Sequence, residues 1–337
     1  MKVSVVIPCR NEEKNIEACI HAIYSNSICK KETIEVLVID GMSDDNTRSI
    51  LNNLKTPYPT LNIIDNEKKV SPVAFNLGIE NATGQFIQII GARQIISENY
   101  LEKAVEFLEN NPNIWCIGGA VENIYENSTS EIISKAMDTP FGVGGGNFRI
   151  LKESSYVDTV GTPMYPIWVF QKIGYFDEAL VRNQDDEFNF RVTSNGGKIY
   201  LFTDISIKYY VRADYSTLYK QYYQYGYWKV YVNKKVGSIT SLRQLAPSIL
   251  ISAIIIGLFL TLLHPLLGIL YSIGLTLYLL GAIYFSATKS TNFIEFVSII
   301  YTFFILHFGY GFGYLKGILD FIILGKKPTS KNTELSR

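Results

Sequence analysis

Between Arg243 and Lys289 the chain runs for 45 residues without a single Asp, Glu, Lys or Arg. One membrane-crossing helix needs roughly 20 apolar residues, so this block is long enough for two. His264-Pro265 near its middle supplies the turn at which a helix breaks, and a helical hairpin is predicted. A further run, Phe296 to Leu315, has no formal charge over 20 residues and is a third candidate span. The competing reading is a buried hairpin in a water-soluble protein, but such cores seldom need so long an uncharged stretch.

Lysine and arginine near span ends set orientation. Lys234, Lys235 and Arg243 precede the first span and Lys289 follows the second, which places the N-terminal part in the cytoplasm. Three full spans would put Lys326, Lys327 and Lys331 outside, against the same rule. The segment holding Gly309, Gly311 and Gly313 therefore stays open between a span, an interfacial helix and a re-entrant one. The opening MKVSVVIPCRNEE has an apolar run too short for a signal-peptide core. Cys9, Cys19, Cys29 and Cys116 show no paired spacing for zinc, redox chemistry or disulfides and read as packing residues in a reducing compartment. The 31 basic residues balance the 31 acidic ones, so no field exists to hold a nucleic acid.

The N-terminal part has a different grammar. VSVVIP, IEVLVID, LNIID and QFIQII read as buried parallel strands, and Ile16, Ile20 and Ile23 mark a helix face beginning after Asn11. Strand then helix, repeated, predicts an α/β doubly wound sheet. Ligands of such sheets bind beyond the carboxyl ends of the strands, so Cys9-Arg10-Asn11-Glu12, Asp40-Gly41 and Gly91-Ala92-Arg93 are expected to converge on one crevice. No Gly-x-Gly-x-x-Gly follows the first strand and no lysine phosphate loop exists, which removes the main support for dehydrogenase and P-loop readings. Gly142-Val143-Gly144-Gly145-Gly146 reads as a flexible loop.

VSVVIPCRNEEKNI, VLVIDGMSDDNT, NLGIENATGQFIQII and FDEALVRNQDDEFNFRV together resemble family 2 glycosyltransferases over roughly Lys2 to Val211. With the GVGGG loop and the YGYWK segment ahead of C-terminal spans, the chain is most similar to membrane-bound succinoglycan-biosynthesis glucosyltransferases. The resemblance implies a GT-A fold, an α/β nucleotide-diphospho-sugar transferase domain over residues 1–215. An aromatic and basic juxtamembrane segment (216–245), a membrane domain of two to three helices (246–325) and a basic tail (326–337) would follow. It also implies a multi-pass protein of the plasma membrane with its catalytic domain in the cytoplasm.

Carried over residue by residue, Pro8, Arg10 and Glu12 match the first-strand motif that holds nucleotide base and ribose, and Asp40 matches the nucleotide-contacting acid. A carboxylate at a strand tip accepts hydrogen bonds from base or ribose, and Gly41 beside it admits the ligand to the backbone. Lys69 stands where these enzymes often present a base to the nucleotide, with a solvated lysine as the alternative. Asp185 matches the base that activates the acceptor hydroxyl, with Asp186 the second choice and Gln184 replacing the first acid of the family pair. Without the resemblance, these acids read equally well as a first helical turn favoured by the helix dipole.

One departure bears on the cofactor. Where the family carries Asp-x-Asp for a divalent ion on the donor's diphosphate, this chain has Gly91-Ala92-Arg93. Neither ligand position offers an oxygen to Mg²⁺ or Mn²⁺, which argues against a metal at the usual site. Two consequences stand open: Arg93 supplies the missing charge in a metal-independent transferase, or the domain binds nucleotide without turnover. Asp44 or Glu122 recruiting an ion from another direction is a third.

Seven aromatic residues from Tyr219 to Tyr231, interleaved with Lys220 and Lys229, suit a helix at headgroup level. Gln224-Tyr225-Gly226-Tyr227-Trp228 is similar to the Gln-x-x-Arg-Trp element of processive synthases, with Tyr227 in place of arginine. Trp228 and Gln184 are the candidate acceptor contacts, against the plainer reading of an interfacial anchor. The expected function is inverting transfer of a hexose from a UDP-sugar to a polyprenyl-linked saccharide at the bilayer. The alternatives are a polyprenyl-phosphate sugar synthase and a noncatalytic nucleotide-sugar-binding subunit of a polysaccharide assembly complex.

Overall fold

A computed structural model of the chain describes residues 2–30, 34–145 and 148–327. Gly146 and Asn147 of the glycine-rich loop and the tail from 328 onward, with Lys331, lie outside the described residues. Two compact units emerge, one of residues 1–123 and 151–210, the other of residues 124–150 and 211–337. The division is discontinuous, and the segment following Asn123 belongs with the helices.

The first unit is built on one mixed sheet. Its strands are β1 (Val3–Cys9), β2 (Ile34–Asp40), β3 (Leu61–Asp65), β4 (Phe86–Ile89), β5 (Gln94–Ile96), β6 (Ile114–Ile124), β7 (Ser155–Tyr156), β8 (Met164–Pro166) and β9 (Lys198–Tyr210). They lie in the order β3-β2-β1-β4-β8-β6-β9-β5, with β7 on β9. The four strands expected to be parallel are so: β1 pairs with β2 and β4, and β2 with β3. Beyond β4 the sheet turns antiparallel through β8.

Burial explains the pattern. All seven residues of β2 and six of the seven in β1 are buried, as a parallel sheet covered on both faces requires. Helices α1 (Ile16–Tyr24), α2 (Thr47–Leu54), α3 (Ser71–Glu80) and α4 (Tyr100–Asn110) follow the early strands. In α1 the buried positions are Ile16, Cys19, Ile20 and Ile23, one face at helical spacing. Each such aliphatic contributes about 1.5–3 kcal/mol by leaving water. After β6 the chain forms α5 (Ser128–Met137) and α6 (Pro140–Val143) in the second unit, then returns for α7 (Ile167–Ile173) and α8 (Gln184–Ser194).

The second unit continues with α9 (Tyr215–Val236), α10 (Ala246–Leu260), α11 (Pro265–Ala287) and α12 (Phe293–Gly317), the last prolonged by a π-helical turn, Ile318–Ile323. Three stretches are long and apolar enough to cross a membrane: Leu242–Leu260, Pro265–Ala287 and Phe293–Ile323. The break between α10 and α11 falls where the sequence places it, with the His264 ring capping the new helix by accepting the Leu266 N–H at 3.1 Å. The glycines left open by the sequence lie within one unbroken helix. A Cβ at Gly313 would stand 2.0 Å from the Tyr223 carbonyl oxygen, and one at Gly226 would stand 2.0 Å from that of Tyr310. Only glycine lets the α9 and α12 backbones meet this closely.

Polar contacts finish the unit. Asp320 accepts from Lys316 and Lys326, each at 3.0 Å, and from the Tyr227 hydroxyl at 3.2 Å. Phe141 of α6 sits among Tyr278, Phe285, Phe303 and His307 of α11 and α12, and its carbonyl lies 2.8 Å from His307 Nε2. Lys289 pairs with Asp138, and Lys135 with Glu295, so the excursion after β6 is pinned to the apolar helices by both rings and charges.

Candidate active site

The carboxyl ends of β1 and β2 lie side by side, Cys9 opposite Asp40. The loops that leave them are knitted together. Gly41 N–H donates to the Cys9 carbonyl at 2.7 Å, Asn11 N–H to Ser43 Oγ at 2.9 Å, and Glu12 N–H to Thr47 Oγ1 at 2.7 Å. Asn11 adopts a left-handed φ of 54°, a conformation asparagine tolerates well, and its amide exchanges hydrogen bonds with Asp44.

Asp40 is 2% exposed at the strand tip, and its carboxylate is held rather than loose. Ser43 Oγ donates to Oδ1 at 2.6 Å, and Arg48 Nη1 donates to Oδ2 at 3.0 Å while also reaching Asp65. Asn66 N–H donates to the Asp40 carbonyl at 2.8 Å, tying in the turn that carries Lys69, which is exposed with φ 59°. Pro8 and Arg10 are half-buried on the same side, the Arg10 stem lying against Gly41. Ser43 and Arg48 were not anticipated from sequence. Neither residue has a spacing in DGMSDDNTR that marks it as a partner of Asp40.

Gly91-Ala92-Arg93 leaves β4 in a tight turn, in which Gly91 N–H donates to Gln94 Oε1 at 2.6 Å and Gln94 N–H to the Gly91 carbonyl at 2.9 Å. The Arg93 Nε–H is shared by both oxygens of Glu12, at 3.0 and 2.8 Å. Glu12 and Arg93, expected to face the donor separately, therefore form one unit. The residues present do not fit a divalent ion at this strand end. Positions 91 and 93 offer no side-chain oxygen, and Glu12 is committed to a cation. Among the described residues no group of three or more His, Cys, Asp or Glu side chains converges.

Asn183 stands at the N-cap of α8, in the left-handed region at φ 58°. The helix's first turn presents Asp185 exposed and Asp186 and Gln184 half-buried. The third acid serves the framework. Glu187 is buried and grips Arg191 at 2.7 and 2.8 Å, while Arg191 donates to the Ile173 and Tyr175 carbonyls. Asn189, one helical turn beyond Asp185, donates to Thr159 Oγ1 at 3.0 Å and accepts from the Tyr165 hydroxyl at 3.3 Å. Tyr165 is in turn pushed well above the usual phenol range by burial, then by Cys116 and the Asp185 charge. Tyr165 belongs to β8, the neighbour of β4, so α8 is tied to the strand whose end carries Arg93.

Trp228 belongs to the second unit. It is fully buried in α9, packed with Tyr227, Tyr231 and Phe321 of the second unit. The four cysteines carry no activated thiol: burial pushes Cys19 and Cys116 up to about 12 and half-buried Cys29 up to about 11, and Cys9 rises further still.

Residues 4–164 match the model of glycosyl transferase family 2. A Methanococcus voltae protein named dolichyl N-acetyl-alpha-D-glucosaminyl phosphate 3-beta-D-2,3-diacetamido-2,3-dideoxy-beta-D-glucuronosyltransferase is 33% identical over 66% of this chain and 71% of its own length. The chain belongs to glycosyl transferase family 2. The succinoglycan biosynthesis protein ExoA of Rhizobium meliloti is 27% identical over 72% of this glycosyltransferase and 73% of ExoA. Staphylococcus aureus TarS 1-349 in complex with UDP-GlcNAc superposes with a TM-score of 0.54 at 19% identity, covering 70% of this glycosyltransferase and 66% of TarS 1-349. That likeness bears on the fold, and the mixed sheet is GT-A-like. Of the longer TarS crystal structure the glycosyltransferase spans 40%.

Proposed function

We propose that this glycosyltransferase is anchored in a membrane with its catalytic domain in the cytoplasm, and that it transfers a hexose from a UDP-sugar to a polyprenyl-linked saccharide with inversion. The observations that carry the reading are the hydrogen-bonded loops at the carboxyl ends of β1, β2 and β4 and an exposed carboxylate, Asp185, in the first turn of α8. Pro8, Arg10, Asp40 and Lys69 receive the nucleotide in this reading. Asp185 accepts the proton of the acceptor hydroxyl as its oxygen bonds to the anomeric carbon. The bond from that carbon to the diphosphate breaks, and UDP departs with its electron pair. A single displacement at one face inverts the centre. Gln184 and Asp186 flank the acceptor.

Support for a lipid-linked acceptor comes from the three apolar stretches and from the Methanococcus relative, named for transfer to a dolichyl phosphate sugar. The test is turnover of radiolabelled UDP-sugars by the full-length protein in liposomes with bacterial or archaeal lipid extract. A labelled lipid product that disappears in Asp185→Asn is the expected result. Asp185→Asn with nearly full activity would instead identify a polyprenyl phosphate, already ionised, as acceptor. Nucleotide binding with neither transfer nor donor hydrolysis across donors and lipid extracts would assign the noncatalytic role.

A further inference from the structure

We infer that Glu12 is a positioning residue, which holds Arg93 as a fixed cation for the donor's diphosphate in place of the divalent ion that the strand end cannot bind. This rests on the reading of the crevice as a nucleotide-sugar site and names what stabilises its leaving group. A departing diphosphate gathers negative charge as the bond to the anomeric carbon breaks, and a pre-placed cation in a fixed geometry stabilises that charge without reorganising. Arginine carries five N–H donors on a planar fork matched to phosphate oxygens. Glu12 occupies only one of them: both of its oxygens converge on Nε, and the terminal Nη groups make no hydrogen bond among the described residues.

The surroundings favour a mount rather than a surface ion pair. Glu12 is 12% exposed and Arg93 47%, so the anchor is sheltered and the fork faces outward. The Glu12 backbone is itself fixed by Thr47 Oγ1, and its side chain also accepts from Asn15 Nδ2 at 3.1 Å. The Gly91–Gln94 turn fixes Arg93 from the other end. A loosely held arginine would pay in side-chain freedom each time it met a phosphate, and this one is ordered in advance. Glu12 thus acts through Arg93, a different role from the ribose contact suggested by its motif.

The experiment compares wild type, Arg93→Ala, Glu12→Ala, Glu12→Gln and the Glu12→Ala/Arg93→Ala pair as full-length protein in detergent, with EDTA and again with Mn²⁺, by calorimetric binding of UDP and of uridine. The expectation is that wild type prefers UDP to uridine about 100-fold, on the scale of one strong charge-stabilising donor group. Arg93→Ala should lose most of that preference. Glu12→Ala should lower it about 10-fold in the wild-type background and less than 2-fold once Arg93 is gone, the signature of a residue acting through its partner. Glu12→Gln, which still accepts from Nε, should fall between, and uridine binding should stay constant throughout. Equal penalties for Glu12→Ala in both backgrounds, or loss of uridine affinity, would overturn the assignment in favour of direct nucleotide contact. UDP binding that requires Mn²⁺ would overturn the cation's role. Failure to bind either ligand with or without Mn²⁺ would refute the nucleotide site itself, a separate outcome that needs no acceptor to recognise.

Discussion

Alanine at Gly313 is expected to force α9 and α12 apart. The added Cβ would stand 2.0 Å from the Tyr223 carbonyl oxygen and 3.0 Å from its Cα, both backbone atoms that no rotamer change can move. Relaxed carbon–oxygen contacts begin near roughly 3.3 Å, so the seam must open by more than about 1 Å. Because Gly226 faces the Tyr310 backbone just as closely, the opening propagates along the same interface. Overpacking of this kind costs about 1–3 kcal/mol. Helix propensity works in the opposite direction, favouring alanine over glycine by up to about 1 kcal/mol. The net expectation is a loss of roughly 1–2 kcal/mol. Gly274 in α11 has nothing within 4 Å of the same construction, so Gly274→Ala keeps the propensity gain without the clash. Thermal unfolding of the two variants in one detergent, at one scan rate, should therefore move in opposite directions and differ by several degrees. Gly313→Ala melting together with Gly274→Ala, or above wild type, would show that the two helices do not meet as described.

Three other outcomes follow from the site. Arg48→Ala removes a charged donor from buried Asp40 but leaves the three Ser43 contacts, so UDP affinity should fall about 10-fold, near 1.4 kcal/mol, by calorimetry; unchanged affinity would detach Asp40 from nucleotide binding. Asp185→Asn should lower kcat about 10²- to 10⁴-fold while leaving UDP binding intact, and Asp186→Asn should do much less; the reverse order in a steady-state assay would exchange their roles. The buried thiols, pushed up to about 12 at Cys19 and Cys116, stay protonated across pH 6–9. Iodoacetamide at pH 8 should therefore label these two only after denaturation, and rapid labelling of native protein by mass spectrometry would contradict their burial.

What sequence disclosed and what it hid divide along a physical line. The parallel strands and the α1 face were legible because burial on both faces of a sheet, or on one face of a helix, imposes a run or a period that composition alone records. The break between α10 and α11 was legible for the same reason, since a long uncharged apolar run advertises a helix and a His-Pro pair its end. Pairwise partners were not. That Glu12 meets Arg93, 81 positions later, depends on how two loops leave adjacent strands, and no periodicity encodes a loop's direction. Ser43 and Arg48 were hidden in the same manner, since their target is defined only once β2 ends at Asp40. The glycines of α12 show a third kind of concealment. The positive charges that follow the segment left it open between a span, an interfacial helix and a re-entrant one; read against their neighbours, Gly309 and Gly313 are where α12 meets the α9 backbone and Gly311 is where it meets α10. A residue's intrinsic preference is thus outweighed where a neighbour takes up the space it vacates, and that neighbour is absent from any local reading of the chain.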